Sequence, residues 1–248
     1  MSKCLIVTGG GRGIGAEVSR KAAKQGYSVC VNFHRDQTSA QKLVRELEKE
    51  GANALAYKAD VSQEEEVEAL FQTVEKDLGT PEALVNNAGI LDLQTRVDGM
   101  NAERIQRIFA VNVTGSFLCA REAVKRMSTK YGGKGGSIVN LSSGAAKYGS
   151  PGEYVDYAAS KAAIDTLTIG LAKEVAEEGI RVNAVRPGFI DTEIHQSGGE
   201  PDRMERVRPL VPMKRVGQAE EVADAIMWLL SDKASYTTGT ILDVSGGR

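Results

Sequence analysis

Short apolar runs rich in β-branched residues alternate along the chain with longer stretches whose apolar positions recur with helical spacing. The first kind reads as buried strand, the second as amphipathic helix. Strand candidates are Cys4–Thr8, Ser28–Phe33, Ala54–Ala59, Ala83–Asn86, Ser137–Leu141, Arg181–Val185 and Thr240–Val244. Helical stretches fall near Ile14–Lys24, Thr38–Glu50, Glu64–Leu78, Ala102–Lys130, Tyr154–Glu177 and Ala219–Leu230. Strand and helix in regular alternation predict a parallel sheet with helices on both faces. Right-handed crossovers make such a sheet doubly wound. The expected fold class is therefore α/β with a seven-stranded parallel sheet. Trp228 and the leucines around it are expected in its core.

Two segments break the rhythm. Tyr131–Gly136 is glycine-rich and joins a helix to a strand. Phe189–Gly217 carries Pro201, Pro209 and Pro212, two adjacent glycines and many charges. It follows the carboxyl end of a strand, where doubly wound folds bind ligands, so residues 189–217 are expected to form a substrate lid. No linker divides the chain and no repeat recurs, so residues 1–248 are expected to form a single domain.

Composition narrows the class of function. Lys and Arg number 31 against 33 Asp and Glu, a net charge of −2. No basic field exists to draw nucleic acid or an anionic membrane, and neither is expected as a partner. No apolar run approaches the roughly 18 residues of a membrane span. The first apolar run enters glycines at once, unlike a secretion signal, and a cytoplasmic protein is expected. Cys4, Cys30 and Cys119 are far apart, which disfavours disulfides and zinc. With only His34 and His195 in addition, no metal is expected.

The first chemical signal is Thr8-Gly9-Gly10-Gly11-Arg12-Gly13-Ile14-Gly15, placed between the first strand and first helix. Glycines let the backbone turn sharply and approach a pyrophosphate, and the helix start offers free N–H groups to it. A bare glycine-rich turn is the alternative, but the strand-to-helix setting favours a dinucleotide. An NAD enzyme usually carries an acid at the end of the second strand for the ribose 2′-hydroxyl. This chain reads Asn32-Phe33-His34-Arg35, with no acid until Asp36. Arg12 and Arg35 are suited to clasp a 2′-phosphate, so NADP is the expected cofactor and NAD the alternative. An acid introduced at Phe33 is expected to shift the preference towards NAD.

The second signal is Tyr157-Ala158-Ala159-Ser160-Lys161, which puts a phenol and an ammonium on one helix face. A free tyrosine titrates near pH 10; a neighbouring cation favours the phenolate and makes proton exchange with an alcohol feasible.

Further motifs appear in order. Asn86-Asn87-Ala88-Gly89 follows the fourth strand, and Asn112 lies in Val111-Asn112-Val113. Ser142-Ser143 closes the fifth strand, Pro187-Gly188-Phe189-Ile190-Asp191-Thr192 follows the sixth, and Asp60-Val61 follows the third. Together with the glycine loop and Tyr157-x-x-x-Lys161 they resemble the short-chain dehydrogenase/reductase family, over the whole chain to Gly246-Gly247. The resemblance implies a Rossmann fold and hydride transfer between a nicotinamide and a carbonyl or alcohol carbon. Tyr157 would be the general acid/base, and Lys161 would lower its pKa and hold the nicotinamide ribose. Ser143 would bind the reacting oxygen, with Ser142 the alternative, and Asn112 would position a relay water. Cofactor contacts would come from Gly9, Gly11, Arg12, Gly13, Ile14, Gly15, Asn32, His34, Arg35, Asp60, Val61, Asn87, Ala88, Gly89, Tyr157, Lys161, Pro187, Gly188, Ile190 and Thr192.

The substrate implied is a small sugar, polyol or ketone. The alternative is a 3-oxoacyl group on acyl carrier protein, whose enzymes place basic residues around the active-site mouth, including a position where this chain has Glu177-Glu178. Glu174 adds to that acidic helix end, while Arg203, Arg206, Arg208, Lys214 and Arg215 in the lid favour an anionic partner. A non-catalytic dinucleotide-binding protein would be expected to lack a member of the tetrad, and none is missing. The family's long helices, here Ala102–Lys130 and Tyr154–Glu177, commonly pair between subunits, so a homo-oligomer, tetramer or dimer, is expected.

Overall fold

The computed structural model describes residues 3–192 and 203–248. The strands are β1 (Cys4–Val7), β2 (Ser28–Phe33), β3 (Ala54–Lys58), β4 (Pro81–Asn86), β5 (Gly136–Leu141), β6 (Ile180–Pro187), β7 (Ile190–Asp191), β8 (Gly217–Gln218) and β9 (Ile241–Val244). The helices are α1 (Gly13–Lys24), α2 (Gln37–Lys49), α3 (Glu64–Asp77), α4 (Ala102–Phe109), α5 (Gly115–Met127), α6 (Ala145–Tyr148), α7 (Val155–Val175), α8 (Arg203–Val207) and α9 (Ala219–Leu230). The main sheet runs β3-β2-β1-β4-β5-β6-β9, and every pairing in it is parallel.

Side-chain alternation divides the core in two. In β1, Leu5 and Val7 pack with α1, α2 and α9 through residues such as Val18, Leu43 and Ile226. Cys4 and Ile6, pointing the other way, pack with α3, α5 and α7 through Phe71, Cys119 and Val175. Each fully buried aliphatic or aromatic side chain of this kind contributes roughly 1.5–3 kcal/mol. All three cysteines are free and buried. Burial pushes the Cys4 and Cys119 thiols up to about 12, which leaves them inert as nucleophiles.

Local chemistry fixes the ends of the helices. The Asp36 carboxylate accepts from Ser39 N at 3.0 Å and starts α2, a cap worth about 1 kcal/mol. At the end of α9, Arg181 of β6 donates to Leu229 O (2.7 Å) and Ser231 O (3.1 Å), satisfying carbonyls that a helix end leaves orphaned.

The fold departs from the sequence expectations at several points, including the unexpected short helix α6. The helix expected over Ala102–Lys130 is α4 and α5 joined by a π turn, Ala110–Thr114. The segment after β6 contributes β7 and β8, a short parallel pair that joins the two ends of the expected lid; residues 193–202 of that lid lie outside the described residues. Trp228 is 41% exposed, because it stands on the outer face of α9 while Ile226, Leu229 and Leu230 face the sheet.

Inside the sheet, Asn86 Nδ2 donates to Asn140 Oδ1 (3.0 Å) and Asn140 Nδ2 to Thr168 Oγ1 (2.9 Å), joining β4, β5 and α7. Removing one member strands buried polar groups, so Asn140→Ala is expected to lower unfolding stability by about 2 kcal/mol. Urea unfolding followed by circular dichroism measures it. A loss under about 0.5 kcal/mol would mean the network is dispensable.

Candidate active site

The strand order reverses between β1 and β4, and the carboxyl ends of β1, β4, β5 and β6 open there onto one crevice. Ile14, Asn87, Gly89, Ser143, Tyr157, Lys161, Pro187, Gly188, Ile190 and Thr192 line a single cavity of about 350 Å³ in it. These sequence-predicted residues come from five separate stretches of chain.

The glycine loop is shaped by its neighbours. Gly9 and Gly13 have φ of +60° and +53°, a left-handed conformation that favours glycine. A Cβ on Gly15 would lie 2.7 Å from Asn87 Nδ2 and from Gly9 O. Thr8, absent from the expected contacts, ties the loop to β4. Its buried Oγ1 accepts from Asn87 N and Ala88 N, both at 3.0 Å, and Asn87 Nδ2 donates to Thr8 O and Gly9 O at 2.9 Å. Gly11 packs on the backbone of Ala40. Neither a side-chain cap nor an acid occupies the first turn of α1. Its free N–H groups and positive end therefore fit a pyrophosphate.

Asn32 takes a different place from the one expected. Its buried amide accepts from Gly9 N (3.2 Å) and donates to Ala59 O (3.0 Å) and Tyr57 O (3.3 Å). Its side chain braces the loop from behind, with its polar atoms already engaged. Val61 is also buried, packed so closely that a Cβ on Gly115 would meet it at 2.7 Å. Asp60 binds Ser62 through Oδ1 (2.8 Å) and faces His34 at 3.7 Å through Oδ2. Arg12, His34 and Arg35 are exposed at the rim.

Lys161 is 4% exposed. Its Nζ donates to Leu141 O at 2.6 Å and lies 5.7 Å from the centre of the Tyr157 ring. Burial holds its pKa down to about 8, opposed by the charge of Asp165. Arg186 fixes Asp165 at 2.7 Å. Ser143 and Tyr157 face the same cavity. Ser142, the alternative, also touches it, but its Oγ is buried and donates to Lys161 O at 3.1 Å.

Asn112 sits in the π turn with its side chain fully engaged. It accepts from Ile90 N (2.8 Å) and donates to Ile90 O (2.9 Å) and Ser160 Oγ (3.0 Å). Ser160 in turn donates to Tyr157 O at 2.7 Å. A second brace was invisible in the sequence: Asp156 accepts from Arg104 Nε (2.6 Å) and from Tyr157 N (2.9 Å), almost wholly out of water. Tyr148, Glu153, Phe189 and Arg248 complete the wall; of these only Phe189 lies within a recognisable motif. Glu174 and Glu177 flank the amino end of β6, the opposite edge of the sheet from the cavity. Within one chain they therefore do not rim the site, contrary to expectation.

Residues 9–248 match the family model described as enoyl-(acyl carrier protein) reductase. The chain is 57% identical over 98% of both chains to an uncharacterized oxidoreductase, YgfF, of Escherichia coli. It is 38% identical to glucose 1-dehydrogenase 2 of Bacillus subtilis, over 99% of this chain and 94% of that protein. Identity to a 3-oxoacyl-[acyl-carrier-protein] reductase of Staphylococcus aureus is 35%, over 100% of this chain and 98% of the relative. With the glycine loop, the Tyr157–Lys161 pair and the doubly wound sheet in place, these matches establish that the chain belongs to the short-chain dehydrogenase/reductase family of oxidoreductases.

Proposed function

We propose that the protein is an NADP-dependent oxidoreductase interconverting a small carbonyl compound and its alcohol. The observation that carries this reading is the shared cavity of Ser143 and Tyr157, with the Lys161 ammonium behind the phenol. The nicotinamide, when bound, supplies the hydride acceptor or donor. Ser143 Oγ hydrogen-bonds the substrate oxygen. Tyr157 gives that oxygen its proton in reduction and takes it back in oxidation. The Lys161 cation favours the phenolate, and Lys161 together with the glycine loop, Asn87 to Gly89 and the Pro187–Thr192 turn holds the cofactor. Asn112 positions Ser160 and α7 through its amide; the relay water that the family resemblance implies would have to share Asn112 with the partners it already has.

NADP is preferred because the chain itself carries no acid over Asn32–Arg35 at the end of β2, and Asp36 is turned into its own helix cap. Arg12 and Arg35 are exposed there for a 2′-phosphate. The whole chain acts as one domain, with residues 189–217 as the lid. Exposed Ile105, Phe117 and Ile169, on α4, α5 and α7, suit a homo-oligomeric contact, tetramer or dimer. The protein is assigned to the cytoplasm.

Reduction of a 3-oxoacyl carrier protein is the second reading, favoured by the Staphylococcus aureus relative. A small free substrate is the first reading, favoured by the glucose 1-dehydrogenase relative of Bacillus subtilis. Steady-state assays of sugars, ketones and a β-ketoacyl carrier protein decide between them; efficient turnover of the carrier-bound substrate alone would reverse the choice.

Tyr157→Phe is expected to lower kcat by about 10²–10⁴-fold while cofactor affinity holds, as measured by turnover and fluorescence titration. Retention of most of the activity would remove Tyr157 from the chemistry. Wild type is expected to show a higher kcat/KM with NADPH than with NADH. Phe33 is buried against the core, so the acid that reverses the preference belongs at exposed His34. His34→Asp with Arg35→Ser should favour NADH, and equal use of both cofactors by wild type would show the arginines to be idle.

Lys161 generates a pH prediction for stability. Between its folded pKa of about 8 and its unfolded value, the unfolded chain binds more protons, so stability rises with pH there. Relative to Lys161→Met, wild type should gain on the order of 3 kcal/mol across that window. Denaturant unfolding of both proteins at a series of pH values measures it, and a flat difference would contradict a buried, depressed lysine.

A further inference from the structure

At the substrate end of the cavity, Arg248 is held by two aromatic rings. Its guanidinium carbon lies 4.7 Å from the centre of Phe189 and 5.0 Å from that of Tyr148. Its main chain is anchored by Ser245, whose Oγ donates to Arg248 O at 2.7 Å.

The acids nearest this end are already matched. Glu221 is gripped by Arg215 at 2.6 and 2.8 Å, and Asp243 by Lys147 at 2.7 Å. Glu153 pairs with Arg206 at 3.0 Å. Arg248 has no ion pair among the described residues, and its Nη1 is buried without a hydrogen-bond partner. Ring faces hold a cation in place without neutralising it, and a charged donor cut off from water is costly until it meets an acceptor.

We propose that Arg248 anchors a negatively charged oxygen group of the substrate, so that the compound turned over is a small oxo or hydroxy acid or phosphate ester. This rests on the oxidoreductase reading and adds the substrate class to it. Reduction adds hydride to the carbonyl carbon and a proton to its oxygen, and the anionic group stays unchanged on Arg248.

The test uses the full-length protein with matched substrate pairs: short oxo acids against their amides, and phosphorylated hydroxyketones against their unphosphorylated parents. The expected result is preference for the anionic member of at least one pair, and the pair that responds identifies carboxylate or phosphate. Arg248→Met should lower kcat/KM for that anion by about 50-fold, mainly through KM, and leave the neutral member within about threefold. Arg248→Lys should recover part of the loss. Equal use of both members by wild type, or an equal loss on both in the variant, overturns the proposal. Calorimetric binding of the same pairs to the NADP⁺-loaded protein gives a readout independent of turnover. Arg248-dependent anion binding without turnover of any carbonyl or alcohol would sink the oxidoreductase reading and keep the anion site; turnover without anion preference would do the reverse.

Discussion

Both faces of the main sheet are covered by helices, so a polar side chain on its strands either reaches an open edge or depends on a partner inside. That constraint organises everything else. Asn86 Nδ2, Asn140 and Thr168 are linked across β4, β5 and α7, although Asn86 Oδ1 is buried without a partner. Asn32 is engaged by the glycine loop and Asn112 by Ile90 and Ser160. What remains at the edge, where β1 and β4 part, is the set of groups placed to meet a ligand.

Lys161 is the costliest member of that set. An ammonium so deeply buried is held by one carbonyl, that of Leu141, and by the field of Asp165. Arg186 holds the Asp165 carboxylate through Oδ2 at 2.7 Å. Burial lowers the Lys161 pKa to about 8, which still leaves it a cation at neutral pH, able to respond to a phenolate beside it. The backbone of Tyr157 is meanwhile fixed from two sides, by Ser160 and by Asp156 with Arg104.

Much of this was legible in the sequence because it depends on local pattern. Apolar runs marked the seven main strands, and Ser28–Phe33 has the same limits in sequence and structure. The glycine loop and Tyr157-x-x-x-Lys161 were readable because backbone conformation and helix spacing need particular residues at particular intervals. What escaped depends on tertiary partners. A two-residue strand such as β7 has no period to detect. Asn32 looks like a rim residue until Ala59 and Gly9 are seen beside it. Trp228 has the hydrophobicity of a core residue, but the face of α9 on which it falls is decided by the sheet. Arg104, Asp156 and Arg248 act through residues far away in the chain.

The cap on α2 has a consequence for how coenzyme choice can change. Asp36 is the first carboxylate in the chain after β2, yet its oxygen is committed to Ser39 N, and that hydrogen bond holds its pKa below the usual carboxylate range. Recruiting it to a ribose would fray the helix that packs Leu43 and Leu47 into the core. A lineage drifting from one coenzyme to the other would therefore have to acquire a fresh acid on the strand's exit, because the acid already present is mortgaged to the fold.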